Sequence, residues 1–153
     1  RARLDDLEAT LGVWRRARFD AQPWLERRMG HGPDDDRRHF RDVVMRDHDV
    51  WLAVEAGEVV ALLALGAGKI DQLHVEPRRQ GRGIGTALLE RAKALSPDGL
   101  TLFTHQRNAR ARAFYERRGF RAVRLGVSPP PESEPDVEYA WRPGEEPRGD
   151  DEV

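Results

Sequence analysis

Apolar residues recur at helical spacing over the first part of the sequence. Over residues 5–19 they return every three or four positions, which predicts an amphipathic helix. The stripe consists of Leu4, Leu7, Leu11 and Trp14. A second stripe predicts a helix over residues 34–46, with Asp34 as its N-cap. Residues 22–33, which contain two glycines and two prolines, are predicted to form a loop or a short helix.

The middle of the chain has the short apolar runs that are typical of strands. Residues 50–55 and 59–65 are rich in β-branched and apolar side chains, and the Ala56-Gly57-Glu58 turn between them predicts a hairpin. A further strand is predicted over residues 70–75, ended by Pro77.

After residue 80 the pattern alternates between helix and strand. Helices are predicted from the glycine-rich segment 81–85 to about residue 95 and over residues 109–118, and strands over residues 100–104, 120–125 and 137–141. This order predicts an α/β (α+β layered) fold, with a mixed central sheet and helices on both faces, in one domain over residues 1–142. The remaining residues, 143–153, are acidic and lack aromatic side chains, so we expect a disordered tail.

Charge and composition exclude several classes of protein. The 153 residues carry 26 basic and 27 acidic side chains, a balance that argues against a dedicated nucleic-acid binder. There is no cysteine, and no set of His, Asp and Glu has metal-ligand spacing, so we expect neither a disulfide nor a metal. The longest apolar run is too short to span a membrane, which predicts a soluble, cytoplasmic protein. The basic residues are almost all arginine, a skew common in GC-rich bacterial genomes.

A glycine-rich loop between a strand and a helix is the first sign of ligand chemistry. Gly81, Gly83 and Gly85 alternate with other residues, and glycine lets the backbone approach a ligand closely. The helix that follows directs free N–H groups into this loop, which favours a pyrophosphate. Arg79 and Arg82 flank the loop and add positive charge.

Two common phosphate-binding motifs do not fit this loop. A P-loop needs lysine followed by serine or threonine after the glycines, and this chain has Ile84-Gly85-Thr86. The dinucleotide-binding fingerprint needs its third glycine one residue later. A tight turn without a ligand remains the alternative.

The spacing Gln80-x-x-Gly83-x-Gly85 resembles the acetyl-CoA signature of the GNAT superfamily of N-acetyltransferases. A second block is similar to the family's second conserved region and consists of Asn108, Ala111, Phe114, Tyr115, Glu116, Gly119 and Phe120. The resemblance is specific over residues 70–120, and the family's usual first strand, expected before Leu4, is missing or truncated. It implies a GNAT fold with splayed central strands.

The resemblance also implies how acetyl-CoA is held. The pantetheine arm is expected along the backbone of residues 73–75, with the Val75 N–H polarising the thioester carbonyl in the manner of an oxyanion hole. Tyr115 is expected to be the general acid that protonates the departing thiolate, the alternative being a purely structural ring. The expected cofactor-binding residues are Leu73, His74, Val75, Arg79, Gln80, Gly81, Arg82, Gly83, Ile84, Gly85, Thr86, Asn108, Ala111, Phe114 and Tyr115.

The general base is less clearly marked. Some family members carry a glutamate six residues before the position matched to Val75, and this chain has Lys69 there. Asp71 is the first choice. His74 and His105 are alternatives, as is a bound water. Simple strand alternation places His74 on the face opposite Asp71, although a bulge would change this.

The acceptor is expected to be the primary amine of a small molecule. Glu134 and Asp136, which precede the last strand with Glu132, are predicted to bind the cationic amine, the alternative being a solvated acidic loop. Without a cysteine to carry the acetyl group, direct attack in a ternary complex is expected. The alternative function is that of a non-catalytic module, which binds acetyl-CoA or CoA without turnover. Dimers are frequent in the family, so the resemblance allows either a monomer or a homodimer.

Overall fold

A computed structural model describes residues 1–144. Its helices are α1 (Leu7–Ala21), α2 (Pro23–Met29), α3 (Pro33–His39), α4 (Ile84–Ala94) and α5 (Ala109–Glu116). Its strands are β1 (Asp49–Glu55), β2 (Glu58–Gly66), β3 (Lys69–Val75), β4 (Leu100–His105), β5 (Arg121–Val127) and β6 (Pro135–Trp141). Short 3₁₀ turns cover Leu4–Asp6 and Pro77–Arg79, and a π-helical segment, Phe40–Met45, continues α3.

The helices confirm the predicted periodicity, with one correction at an end. Asp34 is not the N-cap of α3, because Gly32 holds that position and Pro33 is the first helical residue. Proline is preorganised for the first turn of a helix and has no N–H to satisfy, so the helix begins one residue earlier than predicted. Asp34 lies inside the first turn, where it pairs with Arg37 at 2.7 Å.

The predicted strands are all present, with ends that differ by a residue or two. The β1–β2 hairpin turns at Ala56 and Gly57, whose φ angles are +50° and +80°. Two successive positive φ angles are the signature of the tight turns that match the twist of paired strands. The predicted inward face of β6 is confirmed, since Val137, Tyr139 and Trp141 are buried.

The strands form one six-stranded sheet in the order β1-β2-β3-β4-β6-β5, and an apolar core lies on each face. One core packs beneath α4 and α5 and includes Leu63, Leu89 and Tyr139. The other packs beneath α1 and the π-helical segment and includes Trp14 and Leu62. The predicted mixed sheet with helices on both faces is therefore confirmed.

β3 and β4 lie side by side in parallel but pair at only two positions, Lys69 with Thr101 and Ile70 with Leu102. Beyond them each strand keeps its outer partner. β3 stays paired to β2 as far as Val75, and β4 stays paired to β6 as far as His105. The two strands therefore diverge in the middle of the sheet. This confirms the splayed central strands and opens a cleft between them.

A bulge interrupts β3 just before this opening. Ala64 faces Gln72 across the β2–β3 ladder, but the next residue, Leu65, faces Ile70. Asp71 is therefore an extra residue without a partner in β2. A bulge of this kind reverses the simple alternation of side chains along a strand.

The acidic tail was predicted over residues 143–153. From position 145 onward it lies outside the described residues. Within residues 1–144, no helix is long and apolar enough to cross a membrane.

Gly99, which leads into β4, is expected to tolerate no side chain. Its φ is +114°, and a Cβ there would lie 2.6 Å from the carbonyl oxygen of Trp141. We expect Gly99→Ala to lower the free energy of unfolding by about 2–3 kcal/mol in urea denaturation. Gly57→Ala is the matched control, because its φ is also positive but the space around it is open. Equal losses in the two variants would contradict the prediction.

Candidate active site

A cleft of about 1230 Å³ opens where β3 and β4 separate. It runs from the start of α4 to the face of the sheet that α1 covers. Most of the predicted site residues line it: Asp71, Leu73, His74, Val75, Arg79, Gln80, Gly81, Gly83, Ile84, Gly85, Thr86, His105, Asn108, Ala111, Phe114, Tyr115 and Asp136. Of the described residues that were predicted, Arg82 and Glu134 do not line it.

The free edge of β3 presents backbone hydrogen-bonding groups to the cleft. The N–H of Glu76 donates to Val60 on β2 at 2.8 Å. Successive residues of a strand point their amides in opposite directions, so the Val75 N–H points away from β2 and into the opening. The Gln80 side chain donates to the Val75 carbonyl at 3.1 Å, which agrees with this direction. An extended ligand can therefore pair with this edge as an additional strand does.

The start of α4 offers a second set of free donors. Gly83 is its N-cap in a left-handed conformation, and no side chain caps the helix. The first helical hydrogen bond runs from Ala87 to Gly83, so the preceding amides have no acceptor within the helix. Together with the positive end of the helix dipole, these N–H groups form a site for a phosphate or pyrophosphate.

The first turn of α4 contacts Phe114 and Arg118, which lie within the second matched block, residues 108–120. A Cβ on Gly85 would lie 3.4 Å from the Phe114 ring, so this ring packs directly against the first turn of α4. Arg118 donates to the Thr86 hydroxyl at 3.0 Å, and its guanidinium lies 3.9 Å from the centre of the Phe114 ring. Arg118 lines the cleft and was missed from the sequence. Its position just before Gly119, at the end of the matched block, was the available signal.

Arg79 was predicted to add positive charge beside the glycine-rich loop, but its guanidinium is directed elsewhere. Arg79 lines the cleft, but its guanidinium pairs with Glu55 at 2.8 Å and with Glu58 at 3.0 Å. Its charge is therefore directed mainly at the β1–β2 hairpin. Arg118 is the arginine that lies against the α4 start.

Tyr115 is buried at the inner wall of the cleft, with its ring against Phe114, Phe120 and Tyr139. Burial raises the pKa of the Tyr115 phenol above its usual value. The hydroxyl is therefore a neutral proton donor at neutral pH. Asn108 lines the same wall and accepts a hydrogen bond from the Ala111 N–H at 3.1 Å, which makes it the N-cap of α5.

The bulge at Asp71 corrects the predicted arrangement on β3. Instead of lying on opposite faces, Asp71 and His74 belong to one hydrogen-bonded chain through Gln72. The side-chain amide N–H of Gln72 donates to the Asp71 carboxylate at 3.3 Å. The side-chain carbonyl oxygen of Gln72 lies 2.7 Å from His74 Nε2. Trp14 Nε1 donates to the same carbonyl oxygen at 3.1 Å, which places the chain on the α1 face. His48 Nε2 lies 3.8 Å from Asp71 on its other side.

The pKa of His74 is lowered to about 3, mainly because the ring is buried and secondly because Arg18 is near. His74 is therefore neutral at physiological pH and binds a proton weakly. This disfavours His74 as the group that accepts a proton from an amine.

The acidic residues before β6 divide into two groups. Asp136 and Glu132 line the cleft, and Glu132 lies 3.5 Å from Nε2 of His105. Glu134 is buried beside the cleft, where Trp24 donates to it at 3.3 Å and Arg28 pairs with it at 3.4 Å. Glu132, rather than Glu134, therefore accompanies Asp136, and the acidic cluster before β6 was the signal for it.

The buried, neutral His74 is expected to make the protein sensitive to acid. The pKa of His74 is about 3 in the folded state against 6.5 for the unperturbed group. The unfolded state therefore binds more protons, and stability present above pH 6.5 is lost as the pH falls toward 3. Between pH 7 and about 4.5 we expect wild type to lose about 2–3 kcal/mol more unfolding free energy than His74→Gln. Equal losses in denaturant titrations would contradict this.

Comparison with known proteins identifies the family. The model of the acetyltransferase (GNAT) domain matches residues 46–122, half of the chain. The chain is 29% identical over 127 residues to the peptidyl-lysine N-acetyltransferase YjaB of Salmonella typhimurium, covering 80% of this chain and 82% of that protein.

Solved structures show the same fold. The solution structure of apo YjaB from Escherichia coli aligns with a TM-score of 0.72 at 24% identity, over 92% of this chain and 94% of that one. The PaiA N-acetyltransferase of Thermoplasma acidophilum, solved with coenzyme A, aligns with a TM-score of 0.64 at 18% identity, over 90% and 94%. With its splayed sheet and its matched motif blocks, the chain belongs to the GNAT family and is an acyltransferase.

Proposed function

We propose that this enzyme transfers the acetyl group of acetyl-CoA to the primary amine of a small molecule, by direct attack in a ternary complex. One observation carries the proposal. A single cleft joins an uncapped helix start that suits a pyrophosphate, a free strand edge that suits a pantetheine arm, and a buried tyrosine that can donate a proton.

The proposed position of acetyl-CoA follows from the donors in the cleft. Its pyrophosphate lies at the α4 start, and its pantetheine arm pairs with β3 from Leu73 to Val75. The Val75 N–H then points at the thioester carbonyl, where negative charge develops as the amine attacks. The PaiA structure, a neighbour of the same fold, was solved with coenzyme A, which supports this class of cofactor.

The reaction needs one group that donates a proton to the leaving thiolate and one that accepts a proton from the ammonium. The thiolate that leaves needs a proton, and Tyr115 is a neutral donor in the wall of the cleft. The incoming ammonium must lose a proton before it can attack, because a primary amine is almost fully protonated at neutral pH. Asp71 is a candidate acceptor that acts through water. It lies four residues before Val75, roughly 13 Å along an extended strand.

Two elements that bridge the acceptor end of the cleft favour a small acceptor over a peptide. The α1–α2 junction at residues 20–22 and the β5–β6 loop at residues 128–132 both line this end. Trp24 and Arg28 on α2 bind Glu134 at the end of that loop and so hold the two elements together. A free amine of modest size fits such an enclosed end more readily than a lysine within a folded protein.

Acetylation of peptidyl-lysine is the second candidate function. The relative YjaB is named for that activity and shares 29% identity with this chain over 127 residues. The two functions are separated by comparing turnover of small amines with turnover of a lysine-containing peptide. Released coenzyme A can be followed with a thiol reagent, because the chain contains no cysteine to give a background signal.

Acetyl-CoA is expected to stabilise the folded protein. At about 100 times its dissociation constant, a ligand bound only by the folded state adds about 2.7 kcal/mol. For a chain of this length that corresponds to a rise in Tm of roughly 5–10 °C in a thermal shift assay. ATP and NAD are the controls, since neither has a pantetheine arm to pair with β3. An equal rise with ATP would contradict the proposed cofactor.

Tyr115→Phe is expected to lower kcat by about 10²-fold, because it removes the proton donor for the thiolate. The affinity for acetyl-CoA should stay close to that of wild type. Tyr139→Phe is the matched control, because Tyr139 is also buried but its hydroxyl binds Glu116 and Arg112 rather than lining the cleft. Full turnover by Tyr115→Phe would remove the acid role.

A further inference from the structure

We infer that His105, paired with Glu132 from the β5–β6 loop, is the group that receives the proton of the acceptor ammonium. This inference rests on the proposed acetyltransferase function and deepens it by assigning the base. It also assigns the acceptor-ammonium site to His105, Glu132 and Asp136.

His105 lies closer to the expected thioester than Asp71 does. Three residues along β4 lead from the paired position Leu102 to His105, and four along β3 lead from Ile70 to His74, because Asp71 is the extra residue of the bulge. His105 is therefore about level with His74 across the opening, and only one residue, roughly 3 Å, short of Val75. Asp71 lies at the closed end of the splay, beside the last paired position.

The side chain of His105 is on the acceptor face of the sheet. Leu100 and Leu102 on β4 point into the core beneath α4 and α5. Alternation then places His105 on the opposite face, which α1 and α2 cover, together with its cross-strand partner Asp136. Acetyl-CoA enters along β3 from the α4 start, so an amine on this face meets the thioester from the other side.

The charges around His105 suit a cation. Glu132 lies 3.5 Å from its Nε2, and Asp136 faces it from β6. The contacts among residues 1–144 give neither carboxylate an arginine or lysine partner. Among the arginines that line the cleft, Arg18 pairs with Glu26 and Arg124 pairs with Glu138, and Arg110 lies on α5. Asp71 and His74 lie across the cleft on β3, and Lys69 stacks on Phe103.

A primary ammonium matches this arrangement of acceptors. It has three N–H donors, and the two carboxylates and the imidazole lone pair of His105 are three acceptors. Within the described structure, Nδ1 of His105 has no hydrogen-bond partner. No hydrogen bond on Nδ1 therefore fixes the tautomer. An ammonium that binds between Nε2 and Glu132 favours the form with the proton on Nδ1 and the lone pair on Nε2, at the cost of a buried N–H without an acceptor.

The position of Glu132 is set by a clasp that consists of Glu134, Trp24 and Arg28. Trp24 and Arg28 on α2 bind the buried Glu134 carboxylate, and Arg28 also donates to the Glu132 carbonyl oxygen. Ser128 closes the loop at its other end. Its N–H donates to the Glu134 carbonyl oxygen and its hydroxyl oxygen accepts from the Glu134 N–H, each at 2.9 Å. Glu132 thus lies on a short loop that is fastened at both ends. Glu134 is a positioning residue.

In the proposed step, the acetyl group moves from the sulfur of acetyl-CoA to the nitrogen of the acceptor. The ammonium gives one proton to Nε2 of His105, and the free amine attacks the thioester carbonyl to form the C–N bond. The C–S bond breaks, and Tyr115 gives its phenolic proton to the thiolate. The nitrogen carries a positive charge after the attack, and it loses this proton to the Tyr115 phenolate, which restores the phenol. His105 releases its proton to water. The products are the acetylated amine, coenzyme A and one proton.

The kinetic test compares His105→Gln and Glu132→Gln with wild type, using spermidine, tyramine, L-lysine and kanamycin as acceptors. We expect His105→Gln to lower kcat by about 10²-fold, with acetyl-CoA affinity unchanged. Glu132→Gln should raise KM for the amine, because the ammonium loses one of its carboxylate acceptors. His31→Gln and Glu90→Gln, at exposed positions away from the cleft, are the matched controls.

Asp71→Asn is the rival variant. If His105→Gln kept the kcat of wild type while Asp71→Asn lowered it by about 10²-fold, the base would be Asp71 and the inference would be overturned.

A second measurement needs no turnover. The imidazole resonance of His105 is the one among five histidines that disappears in His105→Gln, and its chemical shift is followed by NMR as spermidine is added at constant pH. We expect spermidine to shift this resonance in wild type and in Glu90→Gln, and to shift it much less in Glu132→Gln. Equal shifts in wild type and Glu132→Gln, or no shift in wild type, would overturn the proposed ammonium site, whatever the enzyme acetylates. A wild type that binds acetyl-CoA, shows the shift and acetylates no amine would instead overturn the proposed function, and the base role with it.

Discussion

The divergence of β3 and β4 is the constraint on which the rest of the molecule depends. The two strands pair at only two positions and then separate, because each is held more extensively by its outer neighbour. A sheet that loses pairing in its middle leaves backbone donors and acceptors without partners, and such groups must be satisfied by water or by a ligand. The opening is therefore both a gap in the fold and a surface that is ready to bind an extended chain of polar groups.

The surrounding elements keep this gap open and give each of its ends a different character. At one end, α4 begins without a side-chain cap, and Phe114 and Arg118 brace its first turn. At the other end, α1 and α2 cover the sheet, and the Glu134 clasp joins α2 to the β5–β6 loop. One end therefore carries backbone N–H groups and an arginine, which suit phosphate, and the other carries carboxylates and imidazoles, which suit a cation.

Two cores make this division possible. β2 is buried on both faces, so it can anchor β3 from one side while α1 and α4 press on the sheet from opposite directions. The bulge at Asp71 turns the residues after it, so that Leu73 and Val75 pack toward α4 while Gln72 and His74 contact α1. A single inserted residue thus decides which side chains of β3 face α4 and which face α1.

The sequence by itself determined the elements and pointed to the proposed cofactor side of the cleft. Hydrophobic periodicity predicted the helices and strands because burial on one or both faces imposes a period on the chain. The glycines of the Gln80–Gly85 loop, and the block from Asn108 to Phe120, marked the phosphate end because backbone approach and a helix start impose local requirements on residue type. The start of α3 was placed wrongly because Pro33 outweighs the capping preference of Asp34.

Only the tertiary structure decided the acceptor side. Strand alternation alone could not reveal the bulge at Asp71, because that bulge is defined by pairing with β2. Nor could sequence spacing separate Glu134, which is buried against Trp24 and Arg28, from Glu132, which lies in the cleft beside His105. These contacts join residues more than twenty positions apart, and no local pattern encodes them. Their geometry follows from how the sheet splays and how α2 folds back over it.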